Sequence, residues 1–109
     1  MKNIRHSEVL ILKEQVDYGF GQVVSKTLVQ NNRHSLTLFS FDKDEEISTH
    51  SSQGDALILV LEGTAKVTID NNEHILSEGE TIVMPANHPH SVYALCRFKM
   101  LLDVSFPKK

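Results

Sequence analysis

Short runs of alternating apolar and polar residues, broken by polar turns about every eight to twelve residues, carry most of this chain. A period of two sends successive side chains to opposite faces of a strand, and helix signals are nearly absent. Many short strands at that spacing predict an all-β sandwich or barrel. Residues 22–29 alternate, and Gln30, Asn31, Asn32 and Arg33 interrupt them. The returning strand sets Leu36, Leu38 and Ser40 against Thr37, Phe39 and Phe41, a predicted hairpin. A second hairpin joins 64–69 to 74–76 through Asp70, Asn71, Asn72 and Glu73. Residues 81–84 read as a short buried strand. The loop after it holds Pro85 and Pro89, which cannot donate to a central ladder. The acidic run at 42–46 reads as solvated surface.

At 109 residues there is room for one core, so any function sits in or on a single fold. Hydrophobic residues make up 40% and charged residues 23%, and the formal net charge of -3 gives no electrostatic reason to seek a phosphate backbone. Nucleic acid is not an expected partner. The single Cys96 cannot close an intramolecular disulfide, and no apolar run approaches the roughly 20 residues that cross a bilayer. The opening residues 1–6 lack the apolar stretch of a signal peptide. The expected setting is cytoplasmic, with no membrane contact.

The last long strand is expected to begin at His90. Its register puts His90, Val92, Ala94, Cys96, Phe98 and Met100 on the interior face and Ser91, Tyr93, Leu95, Arg97 and Lys99 outside. His90 is the one imidazole on that inner row, and a buried imidazole needs a hydrogen-bond partner or a metal. Far away in sequence, His50 ends the segment Ile47-Ser48-Thr49 and shares parity with Ser52, so both can face inward if that segment is extended. A closed sheet could bring the two imidazoles into one cavity. Cys96, on the inner row, reads as a small buried hydrophobe.

At these residues the chain resembles the cupin superfamily. The first cupin motif has a His-x-His pair, a later Glu and a closing Gly; the second has Gly, Pro, Gly, His and Asn in order. His50 falls on the first histidine, Ser52 on the second, Ala56 on the glutamate and Gly63 on the closing glycine, while Asp44 replaces the opening glycine. In the second motif Gly79, Pro85 and His90 match, Asn87 replaces the glycine and Ala94 the asparagine. The resemblance implies a single-domain double-stranded β-helix, the cupin jelly-roll barrel. Its core is expected at about 36–105, preceded by an N-terminal strand arm at about 1–20.

Cupins of this kind often hold a divalent metal (Fe, Mn, Ni or Zn) on three histidines and a glutamate. Here His50 and His90 alone retain metal-ligand positions. Ser52, Asp55 and His88 are weaker candidates, because a hydroxyl is a poor ligand, Asp55 has outward parity and Pro89 restrains His88. Affinity for such a metal is expected to be low. Three functional readings follow. One is a small-molecule binder with a pocket of Ile58, Val60, Val92, Ala94, Cys96 and Met100, beside Ser52 and Ala56. Another is a metal-dependent enzyme of dioxygenase or isomerase type. The third is a metal-independent sugar epimerase, with His50 or His90 as base; it needs a tyrosine across the cavity, which neither Tyr93 nor Tyr18 is placed to supply. The apolar run Val9-Leu10-Ile11-Leu12 is expected to lie as a strand against a neighbouring barrel in a homodimer.

Overall fold

A computed structural model describes residues 1–107. In chain order the strands are β1 (Val23–Gln30), β2 (His34–Phe41), β3 (Glu46–His50), β4 (Asp55–Glu62), β5 (Thr64–Ile69), β6 (Asn72–Ser77), β7 (Thr81–Met84), β8 (His90–Ala94) and β9 (Phe98–Ser105). They pair antiparallel into two sheets, one ordered β1-β2-β9-β4-β7 and the other β3-β8-β5-β6. This is the all-β architecture expected from the alternation and the single-domain jelly roll that the resemblance implies. No helix among the described residues is long and apolar enough to cross a membrane.

The alternation decides what lies between the sheets. Ala56, Ile58 and Val60 of β4, Ala65, Val67 and Ile69 of β5, and Val92 and Ala94 of β8 all belong to one buried cluster. Phe41 and Phe98, opposite each other on β2 and β9, stack at 4.4 Å between centroids and fill one end of the barrel. β9 runs from that filled end toward Ser105, so its later residues reach the other end.

Two departures from the expected strands have clear physical causes. The inner row starting at His90 is not one strand: β8 belongs to one sheet and β9 to the other, and residues 95–97 bend between them. Cys96 sits on that bend and is exposed, its Sγ 3.9 Å from the Thr64 carbonyl, so the expectation of a buried, pocket-lining cysteine is wrong. Alternation continues in the sequence straight through the bend and gives no sign of it. The second departure is the N-terminal arm, where residues 9–12 form no strand; a short 3-10 helix (Leu12–Gln15) is the first regular element. Val16 and Leu12 instead pack on Leu28, Leu38 and Leu101, on the outer face of the arm's own five-stranded sheet. The arm is fastened by Lys99 Nζ donating to the Lys13 carbonyl at 2.6 Å and Ser40 Oγ donating to the Asp17 carbonyl at 2.6 Å. Lys99, expected outside, is on the outer face but buried beneath this arm.

Tight turns depend on backbone that few residues tolerate. Asp70 and Asn71, the two-residue loop between β5 and β6, both have positive φ, as a type I′ turn requires. Gly63 joins β4 to β5 at φ 79°, and a Cβ there would overlap the Arg97 carbonyl oxygen and come within 2.7 Å of Phe98 Cβ. The Phe41–Phe98 end of the barrel therefore closes only over a glycine. Gly63→Ala is expected to cost at least about 2 kcal/mol, combining an unfavourable φ with a backbone clash. Urea unfolding would measure it; an unchanged midpoint would contradict the tight approach of the 95–97 bend.

Candidate functional site

β3 and β8 position the two histidines. Ile47 lies opposite Val92 and His50 opposite His90, so the step along β3 is one residue longer than the matching step along β8, a β-bulge. Under strict alternation an inward Ile47 would turn His50 to solvent. The extra residue restores the inward aim, and Ile47 and His50 line the same cavity. The two imidazoles meet edge to face, 4.5 Å between centroids with an interplanar angle of 72°. His50 stands exposed at the mouth, while His90 behind it is 3% exposed.

The cavity has a volume of about 280 Å³. Its walls are apolar apart from the histidine end, where Ser51 and Ser52 join the rings. Of the expected pocket residues, Ser52, Ala56, Val92 and Met100 line it. Ile58, Val60 and Ala94 are buried but contribute to the solid core, not to the wall. The reason is the filled Phe41–Phe98 end, which confines open space to the half of the barrel nearer Ala56 and Val104. Sequence reasoning missed Ile47, Met84, Leu102, Val104 and Phe106 in the lining. Leu102 and Val104 continue the parity of Met100 and could have been read; Ile47 was hidden by the bulge.

The weaker ligand candidates are engaged elsewhere. Ser52 Oγ accepts from the Gly54 N–H at 3.1 Å, and the Ser52 carbonyl accepts from the Asn87 N–H at 2.7 Å. Asp55 is exposed, and its Oδ1 accepts from the Ala86 N–H at 2.9 Å, tying the start of β4 to the loop after β7. His88 Nδ1 pairs with Asp70 Oδ2 at 2.5 Å on the surface, and neither Asp55 nor His88 lines the cavity. Ala56 occupies the carboxylate position of the motif and has no donor atom. Among the described residues there is no group of three or more His, Cys, Asp or Glu side chains arranged to hold a metal ion. Two imidazoles and no carboxylate do not fit a four-ligand divalent centre.

The tyrosines lie outside the barrel. Tyr93 donates to Asp44 Oδ1 at 2.7 Å on the outer face of its sheet. Tyr18 donates to Glu62 Oε2 at 2.5 Å, with the charged ends of Arg97 and Lys99 at 5.1 and 4.8 Å from its ring centroid. Burial, then the bond to Glu62, pushes its hydroxyl above the usual tyrosine range. This cluster fastens the N-terminal arm and does not reach the cavity.

Burial, and then the neighbouring His50, holds His90 below the ordinary histidine value, with the His88 backbone pulling the other way. The native state therefore binds this proton less readily than the unfolded chain does. Its contribution to stability is present above the unfolded histidine pKa of about 6.5 and is lost as pH falls below it. Urea unfolding of the native sequence should show stability falling from pH 7 to 5. The fall should be shallower in His90→Gln, and equal slopes would contradict the depressed titration of His90.

Residues 37–101 match the family described as Cupin_2, a cupin domain. Among solved structures, a conserved protein of unknown function, SPY1581 from Streptococcus pyogenes, is 46% identical, with a TM-score of 0.97 over 99% of this chain and 95% of that one. A cupin superfamily protein, DSY2733 from Desulfitobacterium hafniense DCB-2, is 32% identical, with a TM-score of 0.93 over 97% of each chain. A Cupin 2 conserved barrel domain protein from Leptotrichia buccalis is 41% identical, with a TM-score of 0.83 over 85% of this chain and 45% of that one. No curated protein matches. A family match over more than half the chain, carried by the same strands that bring His50 beside His90, makes this chain a member of the cupin family.

Proposed function

We propose that this cupin binds a small, largely apolar organic molecule between its sheets, with the ligand's polar end against His50 and His90. The observation that carries this reading is the pair of touching imidazoles at one end of an otherwise apolar cavity. Apolar walls with a few convergent polar groups suit an organic ligand, whose body is held by burial and whose orientation is set by hydrogen bonds. The reading needs no metal, and the donor set described above argues against a tightly held divalent ion. An epimerase-type proton exchange also lacks support, since neither tyrosine lies across the cavity from the histidines.

We also propose that the functional unit is a homodimer. Val9 and Ile11 of the arm are exposed, as are Leu57 and Val83, which lie opposite each other on the outer face of β4 and β7. Sedimentation at micromolar concentration should give a dimer; a monomer alone would refute it.

The ligand-binding reading is tested by denaturing purified protein and analysing what is released. Mass spectrometry should find an organic compound retained by the native sequence. It should be absent from Ala56→Phe, which fills the cavity from a position facing Met84 and Val104. Stoichiometric divalent metal that survives dialysis against a chelator, with no organic compound, would contradict the proposal.

A further inference from the structure

On the reading that the cavity holds an organic molecule, its walls decide how large that molecule can be. Met100, Leu102 and Val104 share the inward parity of β9 and line the cavity; Phe106, next in that parity, lines it just beyond the strand's end. Phe106 is half-buried, and it also borders two grooves outside the cavity, one holding Asn31 and Asn32 and the other Asp55 and Ala86. Among the described residues it is the one common to the cavity and both grooves. It continues β9 of the five-stranded sheet, whereas His50 and His90 belong to the four-stranded one. An aromatic wall and the imidazoles therefore flank the cavity from opposite sheets.

The other boundaries are fixed. The inner end is backed by the Phe41–Phe98 stack, and the loops at the mouth are tied through the Asn87 and Ala86 amides. The backbone at 105–106 is held as well: the Phe106 N–H donates to the Arg33 carbonyl at 2.9 Å. A Cβ at Gly54 would overlap the Ser105 carbonyl oxygen and come within 3.1 Å of the Phe106 Cα, so the two backbones are already in close contact. The Phe106 side chain is thus the boundary that can move without breaking a hydrogen bond. We infer that this side chain sets the largest ligand the cavity accepts. A volume of about 280 Å³ is about twice the ~150 Å³ that encloses a benzene, which puts the limit at roughly a dozen non-hydrogen atoms. A longer molecule has to displace Phe106 and extend past it.

Isothermal calorimetry with para-alkylphenols, their chains running from methyl to heptyl, tests this. A phenol hydroxyl both donates and accepts, so the probe suits an imidazole in either tautomer. In the native protein each methylene up to about pentyl should tighten binding about fourfold, and longer chains should gain nothing further. Phe106→Ala should bind the methyl and ethyl members more weakly, because an apolar wall is lost, yet keep gaining through heptyl and bind that member at least about fourfold tighter than the native protein does. Phe106→Leu, which keeps more of the packing, should place the break between the two; circular dichroism checks that each barrel is intact. The same break in all three proteins would overturn the assignment of Phe106 and leave the organic-ligand reading standing. Absence of binding by every phenol to all three would overturn both.

Discussion

The extra residue in β3 between Ile47 and His50 is the constraint on which the site depends. Without it, a strand that buries Ile47 would present His50 to solvent, and His90 would have no imidazole beside it. With it, β3 turns an apolar and a polar side chain into one cavity. The energetic cost of the bulge is local, because β3 is an edge strand paired only with β8 and little ladder is lost. What it sets is the aim of a single ring.

The remainder of the barrel fixes where that aim leads. Stacked phenylalanines fill one end, and Gly63 lets the 95–97 bend close tightly over it. At the other end, Ser52 and Asp55 tie the start of β4 to the loop that precedes β8, through bonds to the Asn87 and Ala86 amides. The mouth is thus held by two backbone amides, one donating to a carbonyl and one to a carboxylate. The outer face of β1, β2 and β9 is covered by the N-terminal arm, whose polar fastenings involve Tyr18, Glu62 and Lys99. Chemistry inside and stabilisation outside are carried by separate sets of residues, although both are built on the same strands.

Alternation made the fold legible, because period-two burial is a direct consequence of strand geometry. The hairpins at 22–41 and 64–76 and the inward face of β8 follow from it. The bend at 95–97 was illegible, since the parity of Phe98 and Met100 is the same whether or not the chain changes sheets, and Cys96 was misplaced as a result. The arm was misread for a different reason. An apolar run such as Val9–Leu12 says that burial is wanted, not whether ladder pairing or a sheet face will supply it. The meeting of His50 with His90 was expected from strand parity and the motif positions, but the bulge that produces it leaves no compositional mark. Ile58, Val60 and Ala94 of the expected lining lie in solid core because no strand pattern shows how far a phenylalanine stack fills a barrel.

The most direct test of this account is nuclear magnetic resonance of the histidine rings in the protein above pH 7, combining ring-to-ring nuclear Overhauser contacts with nitrogen-15 tautomer shifts. A contact between the rings of His50 and His90 is expected, with the proton on Nδ1 of His50, which faces the Ser48 carbonyl. Rings that show no mutual contact would mean that the bulge does not turn His50 into the cavity, and the site as described would not exist.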